Sequence, residues 1–368
     1  VGAGIAGLCA ALSLVRAGFE VEIVERASKL EETGAGIQLS PNALRVLDRV
    51  GVLAALREQA VAADRVTLRD GRTGRQIAEV PVTADDGMGY LVLHRAALQG
   101  ALMKAVEAEP LIALRLDVAL EGLTPGTNEV VACLSENGEK ALRSNWLVIG
   151  ADGVHSTVAR SLELPAARET GVVAYRYLLN ADAGEAEGRP VEAWLGPAAH
   201  AVAYPISGGE RINLVLLSRA ASATESPAAQ FAGWDARLQV MLARGNYAGA
   251  WTLRETEPDR RLVHGAVCLI GDAAHAMMPF AAQGAAMAIE DAHVLARELA
   301  FEPDMRVALA RFEAERLPRL ERLRKRVAFH DRVYHLPRTL GWARNAALAM
   351  RSRESLAADL SWLYDWRP

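Results

Sequence analysis

AVCLIGDAAHAMMPFAAQGAAMAIEDAHVLARELA, residues 266–300, is the stretch on which the fold turns. Its first five residues, 266–270, form an apolar run with the length of a strand buried on both faces, ending at Gly271 and Asp272. A loop with His275, Pro279 and Phe280 follows, and from about Gln283 a helix opens on Gly284, Ala285 and Ala286. Small residues let a flat group approach the backbone. The unpaired N–H groups of a helix start favour a group that is electron-rich or becomes negative. Strand, loop and helix in this order are also ordinary α/β scaffold, so the flanking sequence decides.

Two further strand-to-helix junctions repeat the pattern. At the amino end, VGAGIAG places Gly2, Gly4 and Gly7 in G-x-G-x-x-G spacing before a helical pattern from Leu8 to about Ala17, and Val21 to Val24 then reads as a strand ending at Glu25. The glycines suit a tight turn and a close approach to a pyrophosphate, and the carboxylate suits a ribose diol without a 2′-phosphate, so the unit reads as dinucleotide-binding. The motif calls for a full strand before it, and the sequence is read as continuing upstream of Val1. At 146–160, WLVIGADGVHSTVAR brings a second buried strand to Gly150 and Asp152, with Ser156 and Arg160 on one face of the next helix. Phosphate or ribose contacts are one reading of that pair. A capping serine and a solvated arginine are the other.

Between these units the pattern becomes antiparallel. Residues 66–82 read as two strands joined through Asp70-Gly71 and Thr73-Gly74, and 171–217 as four more, with Ser207-Gly208-Gly209-Glu210 turning the last pair. On the strand Ala199 to Ile206, His200, Val202 and Tyr204 share one face by the two-residue period. Gly34 to Leu39 reads as a flexible approach loop, Ser40-Pro41 as the cap of a helix to about Val50, and Tyr90 to Leu93 as a strand. Arg95 opens a helix to about Glu107 and is placed to reach a phosphate, or simply lies on the surface. A helix is expected over about 229–243. Met305 to about Arg332 is an Arg-rich amphipathic helix whose basic face, Arg316 through Arg326, is either solvated or turned to an anionic membrane or partner. The tail with Trp342, Trp362, Tyr364 and Trp366 is expected to pack as a cap.

The chain of 368 residues carries a net charge of −4, which argues against a dedicated nucleic-acid binder. Cys9, Cys133 and Cys268 lie far apart in apolar settings, as reduced, buried thiols do, so the expected compartment is cytoplasmic. No apolar run is long enough to span a bilayer. The fold class is α/β: a Rossmann-like cofactor domain (1–65, 90–165 and 256–300) interleaved with an antiparallel substrate domain (66–89 and 166–255), then a helical segment (301–368).

GAGIAG with Glu25, GADGVHSTVAR at 150–160 and GDAAHAMMPFAAQGAAMAIEDA at 271–292, in that order, resemble the single-component FAD-dependent aromatic hydroxylases, among them the salicylate, p-hydroxybenzoate, 3-hydroxybenzoate and 6-hydroxynicotinate hydroxylases. The resemblance covers essentially the whole chain, including GAGIQLSPNALRVL, HAVAYPI and a tail with YHL and WLYDW. It implies that Gly2, Gly4, Gly7 and Glu25 hold the ADP half of FAD with Arg95 assisting, and that Gly271 and Asp272 meet its ribityl or phosphate side. Pro279, Gln283, Gly284, Ala285, Ala286 and Met287 would lie against the isoalloxazine. Asp152 and Arg160 would serve both FAD and the pyridine nucleotide. No second G-x-G-x-x-G is present, which fits NADH or NADPH as a transient co-substrate. His200 and Tyr204 match a His and Tyr of related substrate pockets, as acid–base groups that activate a ring hydroxyl toward a flavin C4a-hydroperoxide. Arg176 is the candidate partner of a substrate carboxylate, and Pro279 a pocket wall. Ala276 departs from the family's proline, which puts loop rigidity there in question.

The implied activity is hydroxylation of a small aromatic substrate with O2, with decarboxylative hydroxylation as a variant. The rivals are a monooxygenase of a larger polycyclic, isoprenoid or antibiotic substrate and a non-catalytic FAD-binding redox sensor. No metal is called for, and the oligomeric state is open, a homodimer included.

Overall fold

The computed structural model describes residues 1–30, 36–126, 129–182, 191–219 and 227–368. The first part of the chain runs α1 (Ile5–Arg16), β1 (Val21–Val24), β2 (Gly36–Leu39), α2 (Pro41–Arg49), α3 (Leu53–Arg57), β3 (Val61–Ala63), β4 (Arg65–Asp70), β5 (Gln76–Pro81), β6 (Tyr90–His94) and α4 (Arg95–Glu107). It continues through β7 (Ile112–Arg115), β8 (Val118–Pro125), β9 (Val130–Glu136), β10 (Glu139–Asn145), β11 (Val148–Gly150), α5 (Thr157–Ser161), β12 (Arg168–Asn180), β13 (Val191–Gly196), β14 (Ala199–Ile206) and β15 (Arg211–Ser218). The remainder is α6 (Pro227–Gln230), α7 (Ala236–Arg244), β16 (Asn246–Glu255), β17 (Val263–His264), β18 (Val267–Leu269), α8 (Asp272–His275), α9 (Gly284–Phe301), α10 (Met305–Tyr334), α11 (Arg338–Ala349) and α12 (Arg353–Tyr364).

Parallel pairing builds one layer: β1 runs beside β7, and β11 beside β18. Residues 1–3 join the two pairs, since Gly2 N donates to Val24 O and Ala151 N to Val1 O. A groove of about 660 Å³ lies between the facing edges, walled by Val21–Val24 on one side and Leu147–Ile149 on the other. Helices α1 and α9 cover this layer with fully buried Leu8, Leu12, Ile289 and Leu295. The hairpin of β9 and β10 turns at Asn137 and Gly138, both at positive φ. Cys133, in that hairpin, is only half-buried, unlike Cys9 and Cys268.

The second layer is a seven-stranded sheet in the order β16-β12-β15-β14-β13-β4-β5. Its period-two pattern separates two faces. Ala199, Ala201 and Ala203 pack with Trp194, Tyr175 and Phe231 under α7. Val202, Tyr204 and Val215 pack instead against the core shared with the parallel layer.

Several local expectations change. The segment expected as a flexible loop is strand β2 from Gly36 onward, paired with β6, while Gly34 and Ala35 lie outside the described residues. The helix expected over 229–243 is two, α6 and α7, parted at Gly233, which takes φ 74°. Asp235 then caps α7 by accepting from Arg237 N and receives the indole N–H of Trp194 at 2.7 Å. β16 escaped notice because most of it is exposed and no alternation marks an edge strand of that kind. Ser40 begins α2 without capping it; its hydroxyl bonds Asn42 and Gln283 instead. In the tail Trp362 and Trp366 pack beneath Arg319, but Trp342 stays 72% exposed. No helix among the described residues is long and apolar enough to cross a membrane.

The expected basic face of α10 is internal at its start, while Arg322 and Lys325 stay exposed. Arg316 is fully buried, donating to Glu290 at 2.6 Å and Asp291 at 2.7 Å. Arg319 clasps Glu290 from the other side and donates to the carbonyls of Trp362 and Leu363. Asn42 donates to Glu290 at 2.6 Å, and Asp291 accepts from Gly271 N and from His275 Nε2. Burial raises the Asp291 carboxyl, but His275, Arg316 and these hydrogen bonds outweigh it and bring the group down to about 2.

Removing one member of a buried ion pair costs about 3–5 kcal/mol. Arg316→Met is therefore expected to lower the urea-unfolding free energy by roughly that amount, and a loss under about 1 kcal/mol would contradict the role assigned to the cluster. Because the folded-state pKa of Asp291 is depressed, its contribution is present above its ordinary value of 3.8 and is lost as pH falls through about 2. That part of the acid loss of stability should vanish in Asp291→Asn.

Candidate active site

Close approach dictates two of the opening glycines. A Cβ on Gly2 would stand 2.6 Å from Ala151 O, and one on Gly7 only 1.9 Å from Gly2 O. Gly4 differs: a Cβ there meets nothing within 4 Å, and as N-cap of α1 it leaves that helix start with no side-chain cap. The space over Gly4 and the unpaired N–H groups of a 12-residue helix suit a pyrophosphate. Glu25 stands beside it, its carboxylate accepting from Ala3 N at 2.8 Å and Ala27 N at 2.9 Å. Each oxygen keeps a second acceptor position for a ribose hydroxyl. Arg95 lies exposed at the start of α4.

The stretch 266–300 folds against this loop. Gly271 takes φ 58°, and a Cβ on it would press on Ala6 Cβ at 3.0 Å and Ala288 Cβ at 3.2 Å, so the starts of α1 and α9 converge there. Asp272 is exposed, and Gly284 opens to free space at the start of the 18-residue α9, which also has no side-chain cap. Two open helix starts with glycine floors, flanked by Glu25 and Asp272, fit an elongated anionic cofactor with a flat end. FAD has that shape. Ala276 is buried and its carbonyl accepts from Thr256 N at 3.0 Å, so the loop is tied down without the family's proline.

Some residues expected to face the cofactor turn their side chains away. The Gln283 amide is buried and bonded to Ser40 and Asn42. Met287 is fully buried with its sulfur 3.6 Å from Arg316, and Ala286 is likewise internal. Only the backbone of these residues is left for a ligand. Asp152 caps α5, accepting from Ser156 Oγ at 2.5 Å, Thr157 N at 2.6 Å and Val158 N at 3.1 Å. Ser156 is the N-cap, accepting from Ala159 N, and exposed Arg160 donates to Thr157 Oγ1.

Beyond Pro279 and Phe280 a cavity of about 140 Å³ lies between the sheet, the loop and helices α10 and α12, lined by Gln38, Tyr90, His200, Arg326 and Tyr334 among others. His200 is 2% exposed and touches Phe280 edge-on at 5.3 Å. Its Nδ1 lies 2.8 Å from Nε2 of His335. Burial first, then His335 and His330, hold its pKa well below the ordinary imidazole range, so the ring is neutral at pH 7. His330 bonds Phe280 O through Nδ1 and stacks on Tyr334 at 4.9 Å.

Tyr204 shares the face of His200 but does not line this cavity. It sits under Gly36, where a Cβ would strike its ring at 2.4 Å, and beside Gln38; burial raises its hydroxyl pKa. Arg176 faces the same layer, yet its guanidinium lies over Trp251 at 4.5 Å, outside the lining of the cavity. The arginines that do line it are Arg326 and Arg351; Arg326 Nη1 lies 3.7 Å from Asp359, another lining residue, while its buried Nε has no hydrogen-bond partner among the described residues. Sequence reasoning placed Arg326 on a solvated face and gave His335 no role. Its YHL motif was the one available signal.

A model described as FAD binding domain matches residues 1–327. The 3-hydroxybenzoate 6-hydroxylase 1 of Aquipseudomonas alcaligenes is 33% identical over 380 residues, covering 99% of this chain and 96% of that protein. The 3-amino-4-hydroxybenzoate 2-monooxygenase PtnB3 of Streptomyces platensis is 34% identical, covering 92% and 88%. Klebsiella pneumoniae HpxO, solved in complex with FAD and uric acid, shares the fold at a TM-score of 0.84 with 24% identity, over 98% of this chain and 94% of that one. With glycine loop, open helix starts and full-length relatives in agreement, the chain belongs to the FAD binding domain family and, within it, to the FAD-dependent aromatic hydroxylases.

Proposed function

We propose that the substrate is a single-ring hydroxylated aromatic carboxylate of the hydroxybenzoate type, hydroxylated with O2 and with electrons from NADH or NADPH. The size of the cavity beside His200 carries this reading. An apolar cavity of about 150 Å³ takes one benzene ring, and this one is about 140 Å³. A polycyclic or isoprenoid substrate would extend beyond it. The two curated relatives described above are named for hydroxybenzoates, which supports the same class. A reducing, cytoplasmic setting belongs to this reading and is supported by three free cysteines.

FAD, when bound, supplies the redox chemistry that activates O2 and delivers one oxygen atom to the ring. The residues of the chain do the rest. Pro279 and Phe280 form one wall, and apolar Val66, Leu68 and Val202 of the sheet exclude water. Neutral His200 takes the ring hydroxyl proton, leaving the electron pair of the O–H bond on oxygen, where it raises the nucleophilicity of the ring. Arg326, with its unpartnered Nε, receives the substrate carboxylate.

A panel of hydroxybenzoates, simple phenols and polycyclic phenols, assayed for stimulated NAD(P)H oxidation with product mass, tests the assignment. Monocyclic hydroxybenzoates should stimulate most and yield a product one oxygen heavier; peroxide as the sole product from every compound would sink it. His200→Gln is expected to lower hydroxylation about 10²-fold with FAD retained. Tyr204→Phe, whose hydroxyl lies outside the cavity, should lower it less than about 10-fold. Equal losses in the two variants would overturn the division between them. Asp272→Ala should weaken FAD retention, and purification of that variant with full yellow occupancy contradicts the assignment of Asp272.

A further inference from the structure

We propose that His335 and Asp331 form, with His200, a relay that carries the substrate's proton from the buried His200 to solvent. The inference rests on the reading of His200 as the acceptor of the ring hydroxyl proton. Three contacts carry it: His200 Nδ1 to His335 Nε2 at 2.8 Å, His335 Nδ1 to Asp331 Oδ1 at 2.8 Å, and Asp331 Oδ2 to Arg219 Nη2 at 2.6 Å. They run in one direction, from a residue 2% exposed to a carboxylate whose side chain is 27% exposed.

The carboxylate orders the protons along this line. Ionised Asp331 only accepts, so His335 carries its proton on Nδ1 and presents a bare Nε2. His200 must then carry its proton on Nδ1, and its own Nε2 is the bare nitrogen. That nitrogen makes no hydrogen bond among the described residues, and with Nδ1 turned to His335 it lies on the ring edge left to the cavity. The base is thus held in the tautomer that accepts a hydroxyl proton. Arg219 holds the far carboxylate oxygen, and the spacing of Asp331 on α10 and His335, its C-cap four residues on, keeps both on one side. The backbone carbonyl of His335 also accepts from Ala198 N, which pins it to the start of β14.

In the transfer, the substrate O–H proton moves to His200 Nε2 as the Nδ1 proton of His200 passes to His335 Nε2. The Nδ1 proton of His335 passes to Asp331 Oδ1, and from there to water. Three protons shift by one bond each, no electron leaves any residue, and the substrate is left as its anion. Without the outlet a cation would remain on an imidazole buried among Phe280, Tyr334 and His330, which desolvation disfavours. His200 is the catalytic residue of this arrangement; His335 and Asp331 are positioning residues that pass the proton on.

Nitrogen-15 NMR of histidine in the full, FAD-loaded chain reads the tautomers with no substrate present. His200 and His335 are each expected as the Nδ1–H form, with the preference lost in Asp331→Ala; His200 protonated at Nε2 in the parent chain overturns the relay. Proton release on mixing with 3-hydroxybenzoate, followed with a pH indicator, reads its function. His335→Phe and His335→Gln should bind the probe with unchanged affinity yet release the proton at least about 10-fold more slowly, with recovery on adding imidazole. Release at the parent rate in both variants overturns the proposal. If 3-hydroxybenzoate fails to bind the parent chain, the hydroxybenzoate reading falls, and the tautomers still decide the relay.

Discussion

Arg316 is an arginine with no solvent exposure, and the arrangement of the cofactor side depends on how its charge is met. Taking a guanidinium and two carboxylates out of water costs several kcal/mol per ion, and only close pairing with further hydrogen bonds offsets it. Here Glu290 and Asp291, neighbours on α9, are answered by Arg316 and Arg319 from α10, and their remaining lone pairs are filled by Asn42, His275 and the amide of Gly271. The cluster thus joins the end of a parallel strand, the loop after it, α2, α9 and α10. One consequence is directional. Glu290 and Asp291 of α9 and the amide of Gln283 are engaged on its inner side, so what faces outward at the helix start is backbone and the small residues Gly284 and Ala285.

The site divides along the same line. Its cofactor side is made mainly of main chain: glycines at contact distance and two open helix starts, which suit a phosphate group and an electron-rich ring without committing side chains. The proposed substrate side is made of side chains from the seven-stranded sheet and from one long helix. Along its 30 residues α10 supplies Arg316 and Arg319 to the buried cluster, Arg326 and Tyr334 to the cavity, and Asp331, with His335 at its end, to the chain of contacts leading outward. A shift of that helix would disturb cofactor support and substrate cavity together.

Motifs made within one strand, turn and helix were readable in the sequence. The glycine loop, Glu25, Asp272 and the start of α9 each follow from local constraints: a turn that admits no Cβ, a strand that ends, a helix that begins on small residues. The single face shared by His200, Val202 and Tyr204 follows from the two-residue period alone. Arg316 and Arg326 were misplaced for a reason equally physical. Periodicity assigns charges on an amphipathic helix to water, and nothing within α10 announces that Glu290 and Asp291, on another helix, will meet Arg316 in the core.

Sequence alone therefore determined the α/β class, the cofactor it binds and the strand that carries His200, because those depend on neighbours in the chain. Tertiary structure decided which side chains of that strand reach the cavity, which arginine lines it, and that His335, far along the chain from His200, holds one of its nitrogens. Those choices arise from how helix α10 is laid across the sheet, and that is set by a buried charge cluster whose members come from α2, residues 271–275, α9 and α10.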